Sequence, residues 1–315
     1  MEEKADFRPQ SFAVVGAGPV GCIVAAFLAK GGYEVTLCDV IPELVEPALN
    51  PGIVLKGAEE LQQPVSRICT SVDDLGDQIP DVILLTVKAY AIPLIASAME
   101  GFYKEGMVVV SWQNGIDTEF ELDKVLGSKP VLRAVVNYGC ELEKPGHVSI
   151  PFHHPPHFIQ ELDPESEQAA VAVAEALTRS GLLTHHTQEI ISMVWRKGIL
   201  NACMNPVCAV TGMTMAQAMN DPIVFQIIDA LVKECVQVAR ANEIPLGWQF
   251  YPYCMEYMGK AGNHKPSMLV DIENKRRTEI DYINGKIVEY GHQVGMETPY
   301  NTTLMALVKA LEPKY

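Results

Sequence analysis

The sequence predicts an α/β protein: a doubly wound domain built on a parallel sheet over residues 1–188, then an all-helical domain over residues 189–315. Three observations lead there. Runs at 12–15, 35–38, 82–87 and 107–111 are continuously apolar or nearly so, as expected of strands buried on both faces of a parallel sheet. Helical stretches at 19–30, 90–99 and 117–126 separate them, which is the alternation of a doubly wound fold. Beyond about residue 189 strand signals become few and helical periodicity takes over.

Further strands are expected at 131–137, 148–150 and 158–159, and residues 164–179 read as a long helix. In the second half, Asp221-Pro222 and Thr298-Pro299 each set an N-cap before a proline at the first helical position. No repeat or low-complexity linker separates the halves, so a docked pair of domains is expected.

Composition narrows the function. The 315 residues carry 24 Lys plus Arg against 39 Asp plus Glu, a net charge of −15, which argues against nucleic-acid binding. With 48% hydrophobic and 20% charged residues the chain is ordinary globular material, and at this length two cores are expected. Residues 1–10 are polar and acidic where an export signal needs a basic start and an apolar run, so a cytoplasmic protein is expected. The eight cysteines are sparse, and Cys203-x4-Cys208 matches no common zinc or redox spacing. They read as reduced, mostly buried thiols.

Two stretches contain no Asp, Glu, Lys or Arg: residues 9–29 (21 residues) and 198–220 (23 residues). Either could cross a bilayer by length, since about 20 residues suffice. Gly16, Gly18, Pro19 and Gly21 in the first, and Asn201, Asn205, Pro206 and Gln217 in the second, argue against spanning helices.

The first run holds Gly16-Ala17-Gly18-Pro19-Val20-Gly21, a G-x-G-x-x-G between an apolar strand and a helix. There the glycines make a tight turn, let the backbone approach a pyrophosphate and allow close helix–strand packing, as in Rossmann-type dinucleotide sites. Glycines serving packing alone are the alternative. The second strand ends at Asp39, near the offset where a carboxylate accepts hydrogen bonds from the adenosine ribose and repels a 2′-phosphate. No Lys or Arg lies between Asp39 and Lys56, which favours NAD(H) over NADP(H); the alternative is a strand-end carboxylate that faces water.

The second run follows Trp195-Arg196-Lys197. On a helix over 193–205, Lys197, Asn201 and Asn205 fall at about 0°, 40° and 80°, one polar stripe on an otherwise apolar surface. Buried polar groups need partners, and a ligand bearing carboxylate and carbonyl oxygens would supply them. A solvated stripe, or a helix ending at Asn205 before Pro206, is the alternative. Residues 267–283 read as one further helix that sets Glu279 on an apolar face between Met268 and Ile272. A buried carboxylate is a functional candidate, with a structural ion pair as the plainer account.

These motifs together resemble the ketopantoate reductase family. The resemblance covers nearly the whole chain: the glycine motif, Thr86-Val87-Lys88, Gln113-Asn114-Gly115, Trp195-Arg196-Lys197 with Asn201 and Asn205-Pro206, and Ser267-Met268-Leu269 with Asp271-Ile272. Most specific is Thr278-Glu279-Ile280-Asp281-Tyr282-Ile283-Asn284-Gly285. The resemblance implies a C-terminal domain of the 6-phosphogluconate dehydrogenase-like type and reduction of a 2-oxo acid by a nicotinamide cofactor. By it, Lys197 is the general acid and Glu279 hydrogen-bonds a substrate hydroxyl, while Asn201, Asn205 and Ser267 hold the substrate. Lys88 and Asn114 then lie at strand ends beside the cofactor. A homodimer is expected as well.

Family members commonly carry a basic residue in place of Asp39, which again implies NAD(H) here. His264 stands three residues before Ser267, where the family often has Asn, and joins the candidate substrate contacts. A glycine-rich stretch is replaced by Pro151-Phe152-His153-His154-Pro155-Pro156-His157. Its prolines prevent a helical ligand face, so a surface or interdomain loop is expected and no metal site. Trp248, Phe250, Tyr251, Tyr253 and Tyr257 read as packing or a dimer surface. Two other functions fit the residues: an NADH-dependent D-2-hydroxyacid dehydrogenase acting on branched or aromatic 2-oxo acids, and a dinucleotide-binding sensor without turnover.

Overall fold

The computed structural model describes residues 7–314, so the first six residues of the acidic opening segment lie outside the described residues. The chain forms two compact units, Met1–Gln113 with Thr118–Ile190, and Asn114–Asp117 with Ile191–Tyr315.

The strands of the first unit are, in chain order, β1 (Ser11–Val15), β2 (Glu34–Cys38), β3 (Ile53–Gly57), β4 (Leu61–Gln63), β5 (Arg67–Cys69), β6 (Val82–Leu85), β7 (Val108–Ser111), β8 (Val131–Val135), β9 (Tyr138–Lys144), β10 (His147–His153), β11 (His157–Glu161) and β12 (Thr184–His186). Its helices are α1 (Pro19–Lys30), α2 (Pro42–Val45), α3 (Ile92–Met99), α4 (Thr118–Leu126) and α5 (Glu167–Ser180). The larger sheet runs β12-β11-β8-β7-β6-β1-β2-β5. From β5 to β8 every pair is parallel, while β11 is antiparallel to β8 and parallel to β12. The continuously apolar runs account for this: β6 and β7 are buried at every position. Strand β1 sits between β2 and β6, so sheet growth reverses there and opens a crevice at the carboxyl ends of the strands, where doubly wound folds take their ligands.

A second sheet, β4-β3-β10-β9, was foreshadowed in the sequence only by residues 148–150. Helix α1 touches strands of both sheets and α5 besides. Covered in this way, residues 21–28 are buried without interruption, which explains why the first charge-free run tolerates no charge.

The histidine segment corrects the sequence reading. His153 ends β10, His157 opens β11, and His157 is fully buried rather than part of a surface or interdomain loop. Its Nδ1 accepts a hydrogen bond from the Asn137 amide at 3.1 Å, its ring stacks on His153 at 5.2 Å, and His153 Nδ1 lies 2.7 Å from Glu59 Oε1. Strand pairing and mutual imidazole contacts satisfy these polar rings, and only the short connection at 154–156, with His154 and Pro155 exposed, keeps the surface position expected of the whole segment. Among the described residues no group of His, Cys, Asp and Glu could hold a metal ion.

The elements of the second unit are helices: α6 (Ile190–Thr211), α7 (Met215–Asn220), α8 (Pro222–Ala241), α9 (Phe250–Gly259), α10 (Ser267–Glu273), α11 (Asn284–Gln293) and α12 (Pro299–Leu311). Helix α8 contacts α7, α9, α11 and α12 through a face that includes Ile228, Leu231, Val232 and Cys235. The Asp221 carboxylate caps it, accepting from the amides of Ile223 and Val224 at 2.9 Å. Thr298 precedes α12 without a side-chain cap bond. The residues 114–117 join this unit because the Ile116 amide donates to Tyr282 O at 2.9 Å and Asp117 accepts from Tyr290 Oη at 3.1 Å. Asp117 has a φ of +62°, so α4 starts one residue later than its pattern suggests.

All eight cysteines are free and all but Cys140 are buried. Among the described residues no helix is long and apolar enough to cross a membrane. The Asp221 cap is testable: Asp221→Ala should destabilise the protein by about 1 kcal/mol in urea unfolding, by stranding two amides of the first turn of α8.

Candidate active site

At the carboxyl end of β1 the three glycines of the motif have three different reasons to lack a side chain. Gly16 adopts φ +109° and donates its amide to Cys38 O at 2.8 Å, which ties the turn to β2. A Cβ on Gly21 would stand 1.8 Å from Gly16 O, so helix α1 can approach the turn this closely only through a glycine. A Cβ on Gly18 would meet nothing within 4 Å, and Gly18 is also the N-cap of α1, with Pro19 opening the helix. Open space in front of a helix N-terminus suits a phosphate group. Ala17 and Val20 complete the turn; Ala17 is buried.

Asp39 follows β2 and is half-buried. Its Oδ2 accepts from the Ala17 amide at 2.8 Å and its Oδ1 from the Ile41 amide at 3.1 Å. The carboxylate is therefore fixed against the glycine turn, not merely solvated at a strand end, and each oxygen keeps acceptor capacity. Thr86, just past β6, was not assigned a role from sequence; its Oγ1 lies 2.8 Å from Gly16 O and 3.0 Å from Val15 O and holds the turn from the other side. Lys88, two residues on, is half-buried.

A second unassigned residue is Arg133, the one charge in the apolar strand β8. It is 3% exposed, lies 3.2 Å from Glu119 and donates to Gln113 O at 2.9 Å, which holds the end of the chain leaving β7. The next residue is Asn114, whose buried Oδ1 has no protein partner. A buried acceptor left in this state calls for a donor from a ligand or water.

The second unit carries the other candidates. Helix α6 runs unbroken through Pro206, so Asn205 does not end it. Lys197 and Asn201 are half-buried and Asn205 is 6% exposed, while Ile199, Ala202, Cys203 and Met204 beside them are buried. Three contacts orient the start of this stripe. Trp195 packs edge-on against Tyr290 at 4.9 Å. The Arg196 guanidinium stacks over Phe250 and Tyr253 and donates to Leu246 O at 2.9 Å. Gly198 lets the 114–117 segment approach, since a Cβ there would press on Ile116 at 3.0 Å.

The aromatic group thus divides: Phe250 is core, Tyr253 and Tyr257 stack outside it, and Trp248 is exposed.

The helix expected over 267–283 is broken. Helix α10 ends at Glu273, the Arg276 amide turns back to Asp271 O at 2.8 Å, and Lys275 takes φ +52°. A continuous helical register from Met268 to Glu279 therefore does not exist, and the apolar-face argument for Glu279 fails. Glu279 is buried all the same, at 8% exposure, at the head of a short 3₁₀ turn. Ser267 is the exposed first residue of α10. His264, half-buried ahead of it, has its proton affinity lowered by burial, which favours the neutral ring.

Known proteins resemble this chain over nearly its whole length. Residues 12–159 match the family described as "Ketopantoate reductase PanE/ApbA" and residues 189–312 its C-terminal part. The 2-dehydropantoate 2-reductase of Pyrococcus horikoshii is 31% identical over 300 residues, 95% of this chain and 96% of the relative. That of Archaeoglobus fulgidus is 29% identical over 97% of this chain and 99% of its own. Among solved structures, D-mandelate dehydrogenase with NADH and anilino(oxo)acetate superposes with a TM-score of 0.86 at 28% identity, covering 96% of this chain and 97% of that one. A PanE/ApbA family ketopantoate reductase from Ralstonia eutropha gives 0.84 at 27% identity over 96% and 98% of the two chains. The chain belongs to the ketopantoate reductase family, a family of nicotinamide-dependent oxidoreductases.

The glycine geometry separates fold from binding. Gly18→Ala should leave the unfolding free energy within about 0.5 kcal/mol of the parent yet weaken NADH at least ~10-fold in a fluorescence titration, because only the ligand side is filled. Gly21→Ala should instead destabilise the fold by about 3 kcal/mol, since its Cβ overlaps backbone. Parent-like NADH affinity in Gly18→Ala would refute the placement of the pyrophosphate.

Proposed function

We propose that this ketopantoate reductase family member is a 2-dehydropantoate 2-reductase, converting 2-dehydropantoate to (R)-pantoate with NADH favoured over NADPH. The observation that carries the reading is the Lys197–Asn201–Asn205 stripe, three polar side chains at one-turn spacing on a helix whose neighbouring residues Ile199, Ala202, Cys203 and Met204 are buried. The likeness to the 2-dehydropantoate 2-reductases of Pyrococcus horikoshii and Archaeoglobus fulgidus supports the substrate.

A bound nicotinamide dinucleotide supplies the hydride that reaches C2 of the oxo acid. Lys197 Nζ donates a proton to the C2 carbonyl oxygen as negative charge develops there, and as a cation it also stabilises that charge. Asn201 and Asn205 donate from their amides to substrate oxygens, and Ser267 and His264 complete the contacts. Glu279 accepts from a substrate hydroxyl, which a 2-oxo acid with a distal hydroxyl can offer. Lys197 then recovers its proton from water, so the net change is one hydride and one proton added across the carbonyl. The open face at Gly18 and the orphan Oδ1 of Asn114 fit such a cofactor, with Asp39 on the ribose and Lys88 beside the phosphates or nicotinamide end.

A second reading is kept because of one observation: the D-mandelate dehydrogenase structure, at 28% identity, shows that a chain of this fold can act on an aromatic 2-hydroxy acid. Efficiency across a panel of 2-oxo acids decides between them. A clear preference for 2-dehydropantoate is expected, and a preference for an aromatic oxo acid would replace that substrate with the other.

Lys197→Ala should lower kcat by about 10²- to 10⁴-fold with NADH affinity nearly unchanged. Retained turnover would remove Lys197 as the acid. For the cofactor, NADPH should bind at least ~10-fold more weakly than NADH, and Asp39→Asn, which keeps one acceptor for the Ala17 amide, should narrow that gap. Equal affinities in the parent protein would refute the role of Asp39.

A further inference from the structure

Pro206 stands inside α6, between the proposed substrate contact Asn205 and the rest of the helix. Proline has no amide hydrogen, so the carbonyl four residues earlier, that of Ala202, loses its regular helical donor. Ala202 is completely buried, and a buried carbonyl needs a replacement.

The replacement comes from far along the chain. Asn284, fully buried at the start of α11, donates from Nδ2 to Ala202 O at 2.9 Å and to Asn301 Oδ1 at 2.8 Å. The orientation of this amide is set by a chain of one-way contacts. Glu234 accepts from the Asn301 amide and from Asn301 Nδ2, each at 2.8 Å, and from the Tyr300 amide at 3.1 Å. An ionised carboxylate can only accept, so Asn301 must present Nδ2 to it and Oδ1 to Asn284. Asn284 must in turn present Nδ2, and its second hydrogen falls on Ala202 O. A flipped Asn284 would set its oxygen against two acceptors.

We infer that Asn284 is a positioning residue for the substrate-binding stretch of α6, supplying the hydrogen bond that Pro206 removes and so fixing the backbone between Asn201 and Asn205. This rests on the reading of that stretch as the oxo-acid site. Helix α6 is thereby held open to a side-chain donor at one carbonyl, and Glu234 on α8 sets the direction through Asn301 on α12. Asn284, near the end of the 278–285 string, therefore serves backbone geometry, whereas Glu279 is the residue proposed for the substrate hydroxyl.

The test is a double-mutant cycle. Asn284→Ala should raise KM for the oxo acid at least 10-fold while leaving NADH affinity within 2-fold. Pro206→Ala restores an amide at the position Ala202 O would normally use, so it alone should change KM by less than 3-fold. In the double variant it should recover most of the loss. A merely stabilising Asn284 would lower the unfolding midpoint without moving KM relative to NADH affinity. Parent-like KM in Asn284→Ala, or no recovery on adding Pro206→Ala, overturns the proposal. The two readings fail separately: absent turnover of any 2-oxo acid by the parent enzyme overturns the reaction. The cycle is then still read in unfolding midpoints, where additive shifts overturn the pairing of Asn284 with Pro206.

Discussion

Burial of two helices over nearly their whole circumference is the constraint from which the candidate sites follow. Residues 21–28 of α1 are buried in succession, and so are residues 202–209 of α6. A helix in that position cannot carry a group that needs water, because an unpaired buried polar group costs roughly 1–3 kcal/mol. Over residues 21–28 of α1 the constraint removes every charge, and it forces glycine where the helix meets the turn at Gly16. In α6 it has a different result. Pro206 breaks the backbone pairing and Asn284 repairs it, while Asn205 remains in the buried stretch with a side chain that must find a partner.

Much of this was legible because it is local. The glycine turn, helix α1 with its bounds at Pro19 and Lys30, and the cap at Asp221 all depend on residues within a few positions of one another. The stripe of Lys197, Asn201 and Asn205 was legible for the same reason, since its spacing is the helix period itself. What stayed hidden is long-range. Strand β4 is only Leu61–Gln63, and β9 carries Glu141, Glu143 and Lys144, so neither shows an apolar pattern; they are strands because β3 and β10 pair with them. Glu279 shows how a right outcome can rest on a wrong route. Its burial was inferred from a helix that Lys275 interrupts, and it comes instead from the turn that follows.

Arg133 and Asn284 illustrate the harder case. Each is visible in the sequence as a polar residue among apolar neighbours, yet its partner lies about 20 to 80 positions away: Gln113 for Arg133, Ala202 for Asn284. Nothing in the spacing of either residue names that partner. Both attach to backbone carbonyls next to candidate site residues, Asn114 in one case and Asn201 in the other. Buried polar residues in this protein thus hold the main chain from which the candidate contacts project.

The acidic balance of the chain sets a last requirement. With a net charge of −15, the molecule as a whole repels an anionic dinucleotide and an anionic oxo acid, so long-range steering works against both. Attraction has to be local and short-ranged. For the dinucleotide it can come from the amides at the N-terminus of α1, beside an open Gly18, with Lys88, two residues beyond the Thr86 that holds the turn, as the proposed cation. For the proposed oxo acid it would come from Lys197, whose helix neighbours Ile199, Ala202 and Cys203 are buried, where a charge acts more strongly than in water. A lysine in that setting is worth more to an anionic substrate than many surface lysines would be, because a charge at the surface is screened within about 8–10 Å at ordinary ionic strength.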